Sequence, residues 1–216
     1  MEGRHEENGK FEHPHYSLIF YLDSPGWTDP NSSNPTRIMN TKNQHQIRNY
    51  QHGDHAAIGE IFTAAVHEIA SRDYSPEQCL VWASRTVNYD HWKERCELKR
   101  PFVAVVDATI AGFLELDPDG HIDCAYINPQ FQRRGIMTSL VEHAVNTCFS
   151  ANVHRVYVEA SICARPLFDK CGFQLIAENT VTIRDIQLLN YKMEKRKDPG
   201  DPGGGGVVAA GEITVV

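Results

Sequence analysis

The chain has 216 residues, 41% of them hydrophobic, enough for one domain with its own core and some chain left over. Its formal net charge is -7 and it has no Lys/Arg-rich run, which argues against a nucleic-acid partner. The cysteines (Cys79, Cys96, Cys124, Cys148, Cys163 and Cys171) form no CxxC pair and mostly sit in apolar stretches, so they read as free thiols of a reducing compartment, with no disulfide framework and no metal site.

Residues 1–43 mix His, Pro, Ser and Asn around one short apolar patch, "YSLIFYL", and read as an N-terminal extension without fixed structure. Met39 is either an alternative translation start or part of a native extension. The opening "MEGRHEENGK" lacks a signal peptide's apolar core, and no apolar run is long enough to cross a bilayer. A soluble cytoplasmic protein with no membrane partner is expected. At the other end, residues 196–216 form a Gly/Pro-rich tail, expected to be flexible.

Residues 44–195 make the domain. "HQIRNY" reads as a short strand. From His55 to Ser71, apolar residues recur at three and four positions, which predicts an amphipathic helix. "SPEQCLVWA" carries a capping box, with Ser75 as N-cap and Pro76 in the first helical position. "YDHWKERCEL" predicts a shorter helix. The period then changes to two: "PFVAVVD", "IAGFLEL" and "HIDCAYI" predict an antiparallel meander, with "DPDG" as a tight turn. A helix is predicted from Arg133 to Ser150, then the strand "HRVYVEA", the short helix "ARPLFDKC" with Gly172 at its C-terminus, and the strands "FQLIAEN" and "TIRDIQLLNYKM". The strand–helix–strand over 122–159 is a crossover, so those strands should be parallel. The fold class is a mixed α/β sheet, an antiparallel meander plus a parallel β-α-β crossover, with helices on both faces.

"NPQFQRRGIMTSL", residues 128–140, puts two arginines and a glycine where a helix should start. Arginines there oppose the helix dipole, and a helical glycine costs about 1 kcal/mol against alanine. The arrangement becomes favourable if an anion binds. A helix N-terminus offers unpaired N–H groups, Gly135 allows close approach, and Arg133 and Arg134 add charge. A phosphate or pyrophosphate is the natural anion; surface arginines beside a loop glycine are the ordinary alternative.

In this context the segment Gln132-Arg133-Arg134-Gly135-Ile136-Met137 resembles the Gln/Arg-x-x-Gly-x-Gly/Ala motif of the GNAT superfamily of N-acetyltransferases, and "YVEASICARPLFDKCGF" resembles its second signature. The likeness is closest to the YafP-like bacterial branch and covers about residues 44–194. The resemblance implies acetyl-CoA as co-substrate, with no metal. It implies the pyrophosphate on Gln132 to Met137 with Thr138 as a hydroxyl contact, and the pantetheine along Ala125, Tyr126 and Ile127. Ser161 would cap the short helix and touch the cofactor. Phe168 stands beside the cofactor, where many members carry a proton-donating tyrosine. Met137 departs from the motif's last small residue.

The implied reaction is attack of a small-molecule amine on the thioester. Asp123 is the first candidate for the base, Glu159 the second, and Tyr126 a hydroxyl relay; Glu115 is a further strand carboxylate, and each has an ordinary structural reading as well. Tyr74, Trp82, Tyr89 and Trp92 are candidates to line an acceptor pocket. Because of Phe168 and Met137, a binding or regulatory module that holds acetyl-CoA without turnover remains open, as does acetylation of a protein N-terminus or lysine. The family also allows a homodimer.

Overall fold

The computed structural model describes residues 45–198, so the N-terminal extension, Met39 and nearly all of the C-terminal tail lie outside the described residues. Seven strands form one sheet in the order β1-β2-β3-β4-β5-β7-β6. They are β1 (Gln46–Asn49), β2 (Phe102–Val106), β3 (Thr109–Leu116), β4 (His121–Ile127), β5 (Arg155–Ser161), β6 (Gln174–Ile183) and β7 (Ile186–Arg196). The helices are α1 (His55–Ala64), α2 (Pro76–Trp82), α3 (Tyr89–Lys99), α4 (Ile136–Ser150) and α5 (Arg165–Lys170). The β4–β5 pair, joined through α4, is parallel, and every other pairing is antiparallel. The mixed α/β class, the meander and the crossover are as expected from the sequence. No helix of the described residues is long and apolar enough to cross a membrane.

Alternation along the strands sorts side chains to two faces. Ala104, Leu114, Ile122 and Val158 pack under α4 with Ile136, Leu140 and Val141. Val103 and Phe113 face the other way, onto Ile58 and Ile61 of α1 and onto Trp92 and Cys96 of α3. The helix α2 begins with the complete capping box, Ser75 with Gln78.

Besides the start of α4, three boundaries differ from the sequence reading. The first helix is α-helical only to Ala64; a π turn follows over Ala65–Ile69 and a 3-10 turn over Ala70–Arg72. A π turn shifts the phase of the apolar stripe. Ile58 and Ile61 therefore join the Trp92 cluster, whereas Val66 and Ala70 join a separate cluster with Tyr74, Cys79 and Leu188. The last hairpin turns at Arg184–Asp185, both with positive φ (47° and 68°), a few residues beyond the break expected near Thr180. This two-residue turn needs left-handed backbone but uses no glycine, so its usual marker is missing. The strand β7 also runs to Arg196, and the backbone N–H of Lys197 donates to His154 at 2.9 Å, which carries the ordered domain past residue 195.

The parallel pair is short. Only His121↔Tyr157 and Ile122↔Val158 are in register, and pairing stops there. On its other side β4 carries a bulge: Leu116 pairs with Ile122 and Glu115 with Cys124, so Asp123 has no partner on β3. The strands separate at the bulge. Their closed end is pinned by His121, 6% exposed, whose Nε2 lies 2.7 Å from Glu159 Oε2 and whose ring stacks on Tyr157. Nδ1 lies 3.4 Å from Asp117 Oδ2. Burial disfavours a charged imidazole, but the hydrogen bonds to Asp117 and Glu159 outweigh it and lift the pKa from 6.5 to about 9.

The resulting contribution to stability is fully present below pH 6.5 and is lost as the pH rises through about 9. The carboxyls of Glu159, which the His121 hydrogen bond holds low, and of Asp117, where the bonds to His121 and Lys99 outweigh burial, act in the opposite sense and lose their contribution on acidification. Thermal unfolding of the parent should therefore show Tm falling between about pH 6.5 and 9, and His121→Gln should flatten that slope. An unchanged slope in the variant would reject His121 as its source.

Candidate active site

The segment between β4 and α4 is built by two left-handed residues. Asn128 anchors the loop: its N–H donates to Ala111 O at 2.8 Å, and its Oδ1 accepts from the N–H of Gln130 at 3.0 Å. A 3-10 turn over Pro129–Phe131 follows, and Gln132 is extended. Arg133 then has φ 61° and Gly135 φ 76°, and Gly135 is the N-cap of α4. The helix thus begins at Ile136, three residues later than the sequence reading. The arginines stand in the loop before the helix and not in its first turn.

No side chain caps α4. Its first backbone bond runs from Ser139 N–H to Gly135 O at 3.0 Å, which leaves the N–H groups of Ile136, Met137 and Thr138 without intrahelical acceptors. Arg133, Arg134 and Gly135 are exposed, and Met137 and Thr138 are half-buried. The side chain of Met137 packs against the α4 core. Arg134 folds back over the Phe131 ring at 4.9 Å, and its Nη2 donates to Gln130 O at 3.2 Å. What this corner offers is a row of amides with two exposed arginines beside it, a good receptor for a polyanion.

Beside it lies the open wedge between β4 and β5. Ala125 and Ile127 face the α4 core, while Tyr126 faces the opposite side of the sheet, edge-on to Phe62 at 4.9 Å. The Tyr126 hydroxyl accepts the indole N–H of Trp82 at 3.2 Å, and burial holds its pKa well above the ordinary phenol value. A strand edge without a ladder partner can take an extended ligand as if it were another strand.

The three candidate carboxylates differ in their surroundings. Glu115 is fully buried and receives both Nε (3.0 Å) and Nη2 (2.6 Å) of Arg95. Burial pushes its carboxyl up, against the opposing pull of Arg95. Asp123 Oδ2 is held by Arg95 Nη2 and by Lys99 Nζ, each at 2.8 Å. A proton arriving on that oxygen would disrupt two ion pairs. Glu159 has the single His121 contact at 2.7 Å and a side chain 26% exposed. Glu115, Asp123 and Cys124 bring potential metal-ligating atoms within 4.8 Å of one another, but the Arg95 guanidinium stands among them, so the position is already taken by a cation.

The second signature is arranged differently from the sequence reading. Ser161 ends β5, and Ala164 is the N-cap of α5, so Ser161 is not the cap; its Oγ lies 3.2 Å from Cys163 Sγ. Phe168 is 1% exposed. The N–H of Phe173 donates to Phe168 O and that of Gly172 to Asp169 O, both at 3.0 Å, a Schellman closure whose apolar contact is the edge-to-face pair Phe168–Phe173. Phe168 is thereby committed to the core.

The aromatic residues do not form one wall. Tyr74 and Trp92 are buried, Trp82 is half-buried, and Tyr89 is exposed and bonded to Glu60. The Tyr74 hydroxyl donates to Leu189 O at 2.6 Å and accepts from Ile162 N–H at 3.0 Å, tying β7 to the end of β5. Sequence reasoning did not single out Arg95, Lys99 or His121. A signal for the first two was present: Trp92, Arg95, Cys96 and Lys99 follow helical spacing, so two cations share the stripe that buries Trp92 and Cys96.

The description "Acetyltransferase (GNAT) domain" matches residues 70–195. The chain is 33% identical over 151 residues to the uncharacterized N-acetyltransferase YafP of Escherichia coli (strain K12), covering 70% of this chain and 95% of the relative. A GCN5-related N-acetyltransferase structure from Rhodopseudomonas palustris is similar with a TM-score of 0.66 and 28% identity, covering 70% of this chain and 95% of that one. The paia N-acetyltransferase of Thermoplasma acidophilum, solved with coenzyme A, shares the fold with a TM-score of 0.57 at 17% identity, covering 71% of this chain and 99% of that one. On the family match and the extent of identity, the chain belongs to the GNAT family of acetyl-CoA-dependent N-acetyltransferases.

Proposed function

We propose that this enzyme transfers the acetyl group of acetyl-CoA to an amine of a small molecule by direct attack on the thioester. The observation that carries the reading is the uncapped N-terminus of α4, turned outward by Arg133 and Gly135 beside a β4 edge that lacks a partner beyond Ile122. The pyrophosphate is assigned to the amides from Gln132 to Thr138, with the side chains of Arg133 and Arg134 closing over it. The pantetheine is assigned to Ala125, Tyr126 and Ile127. A backbone N–H of β4 facing the thioester oxygen would stabilise the developing negative charge, and one such donor is worth roughly 2.7–4 kcal/mol.

For proton removal we assign Glu159 ahead of Asp123. Asp123 is ion-paired to two cations, whereas Glu159 makes one ion pair, to His121, which the raised pKa keeps protonated near neutrality, with Lys192 across the β5–β7 ladder adding a weaker pull. The ionised Glu159 carboxylate can orient the ammonium and relay its proton through a water toward solvent as the amine becomes the nucleophile. Phe168 has no proton to give to the departing thiolate. The thiolate is then protonated by water or through a hydroxyl relay, the role assigned to Tyr126, whose hydroxyl accepts the Trp82 indole N–H. A small acceptor is favoured because α2 is tied over β7 by Gln78 Nε2 donating to Gln187 O at 2.7 Å and by the Tyr74 hydroxyl. Those ties pack α2 against β7, which suits a small acceptor better than a peptide groove.

A second reading, a module that holds acetyl-CoA without turnover, draws on the burial of Phe168 where a proton donor is usual. Purified protein incubated with acetyl-CoA and a panel of small amines and peptides separates the readings: release of free thiol with a small amine supports the enzyme, release with peptides alone moves the substrate class to proteins, and binding without release supports the module. Gly135→Glu places bulk and negative charge among the amides and should weaken CoA binding by at least about 100-fold in calorimetry; unchanged affinity would reject the assigned pyrophosphate site. Glu159→Gln should lower kcat by about 100-fold while CoA affinity changes little. Parent-like turnover would remove Glu159 as the base.

A further inference from the structure

Arg95 touches all three residues that make the β4 bulge. Its guanidinium donates to Glu115 (3.0 and 2.6 Å), to Asp123 Oδ2 (2.8 Å) and to Cys124 Sγ (3.5 Å). Glu115 and Cys124 are the pair next to the register slip, and Asp123 is the unpaired extra residue. One turn further along α3, Lys99 Nζ binds Asp123 Oδ2 at 2.8 Å and Asp117 Oδ1 at 2.7 Å. The helix α3 therefore grips β4 and the end of β3 around the slip.

The slip decides which way the rest of β4 faces. Phe113 pairs with Tyr126 and Leu114 with Ala125, so Tyr126 is turned to the α1/α3 side and Ala125 to the α4 side. A regular ladder continued from Leu116↔Ile122 would set Glu115 opposite Asp123 and turn Tyr126 toward α4. Nothing in the local sequence forbids that ladder: "HIDCAYI" has no glycine or proline to force a bulge. The Arg95 contacts do discriminate, because its guanidinium reaches both Asp123 and the adjacent Cys124, and a regular ladder would turn Cys124 to the opposite face.

We propose that Arg95 is a positioning residue for acetyl transfer: it holds the Asp123 bulge and so fixes where the β4 backbone N–H groups stand against the thioester. The inference rests on the reading that acetyl-CoA lies in the β4–β5 wedge. Removing Arg95 alone would leave the fully buried Glu115 without its cation and endanger folding, so the charge-matched variant Arg95→Met/Glu115→Gln, in which Asp123 keeps Lys99, is the main probe, with Arg95→Lys as the conservative rescue. The readout is the infrared band of the thioester carbonyl of bound carbon-13-labelled acetyl-CoA, recorded below the Tm of each folded protein and without acceptor.

In the parent the band should lie below its frequency in free acetyl-CoA. In the Arg95→Met/Glu115→Gln variant it should return toward the free value, while CoA affinity stays within about tenfold because the α4 corner is untouched. Turnover with any amine the parent accepts should fall about 100-fold, in kcat more than in KM. Arg95→Lys, which keeps the charge, should recover part of the displacement, and it decides the question if the double variant fails to fold. A lowered Tm with parent-like band and kcat would reduce Arg95 to a structural role and overturn the inference. Gly135→Glu is the control for the underlying reading: if it leaves CoA affinity intact, the assigned cofactor site falls and this inference falls with it. If Gly135→Glu abolishes binding and the Arg95 variants behave as the parent, only the positioning role is rejected.

Discussion

After two rungs of pairing, β4 and β5 part company, and the rest of the site is arranged around that separation. A parallel pair held along its full length would hide the edge of β4 and leave no place for an extended ligand. A pair with no rungs would leave α4 without a defined origin. The compromise is a closed end fastened by His121 and Glu159 and an open end leading to the α4 corner. Ligand-accepting edges in a sheet need this kind of local interruption, because a continuous ladder satisfies every backbone group by itself.

The polar groups at this interruption form a connected set. Arg95, Glu115, Asp123, Lys99, Asp117, His121 and Glu159 are linked in series across α3, β3, β4 and β5. Taking so many charges away from water is costly, and such sets are weak contributors to net stability unless each member is paired. Here they are paired, and the pairing sorts the carboxylates. Glu115, Asp123 and Asp117 hold Arg95, Lys99 and His121 in place, and Glu159 makes a single ion pair, with His121. At the other end of the wedge the electrostatic logic is reversed: Arg133 and Arg134 lie ahead of an uncapped helix, where their charge and the dipole both favour an incoming anion.

Much of this was legible from residue order alone. Period-two alternation marked the meander, and the Ser75–Gln78 capping box marked α2. The span between the third strand and "HRVYVEA" required a crossover and hence a parallel pair. What escaped depended on backbone dihedrals or on long-range reach. The start of α4 is set by the left-handed turns at Arg133 and Gly135, and arginine gives no warning of such a turn. The π turn after Ala64 has no composition signal, and the Arg184–Asp185 hairpin lacks glycine. Asp123 looked like a free strand carboxylate because nothing local indicates that Arg95, 28 positions earlier, reaches it. The near-complete burial of Phe168 against Phe173 also depends on the closure of the chain at Gly172.

The skipped residue on β4 also divides the strand into two half-strands of independent phase. Before Asp123, side chains answer to the β5 rungs; after it, they answer to the Phe113–Leu114 stretch of β3. Substitutions that tune the closed end are thus decoupled from those that shape the open end. Changes from Ala125 to Ile127 therefore act on the ligand edge and leave the His121–Glu159 fastening of the sheet in place.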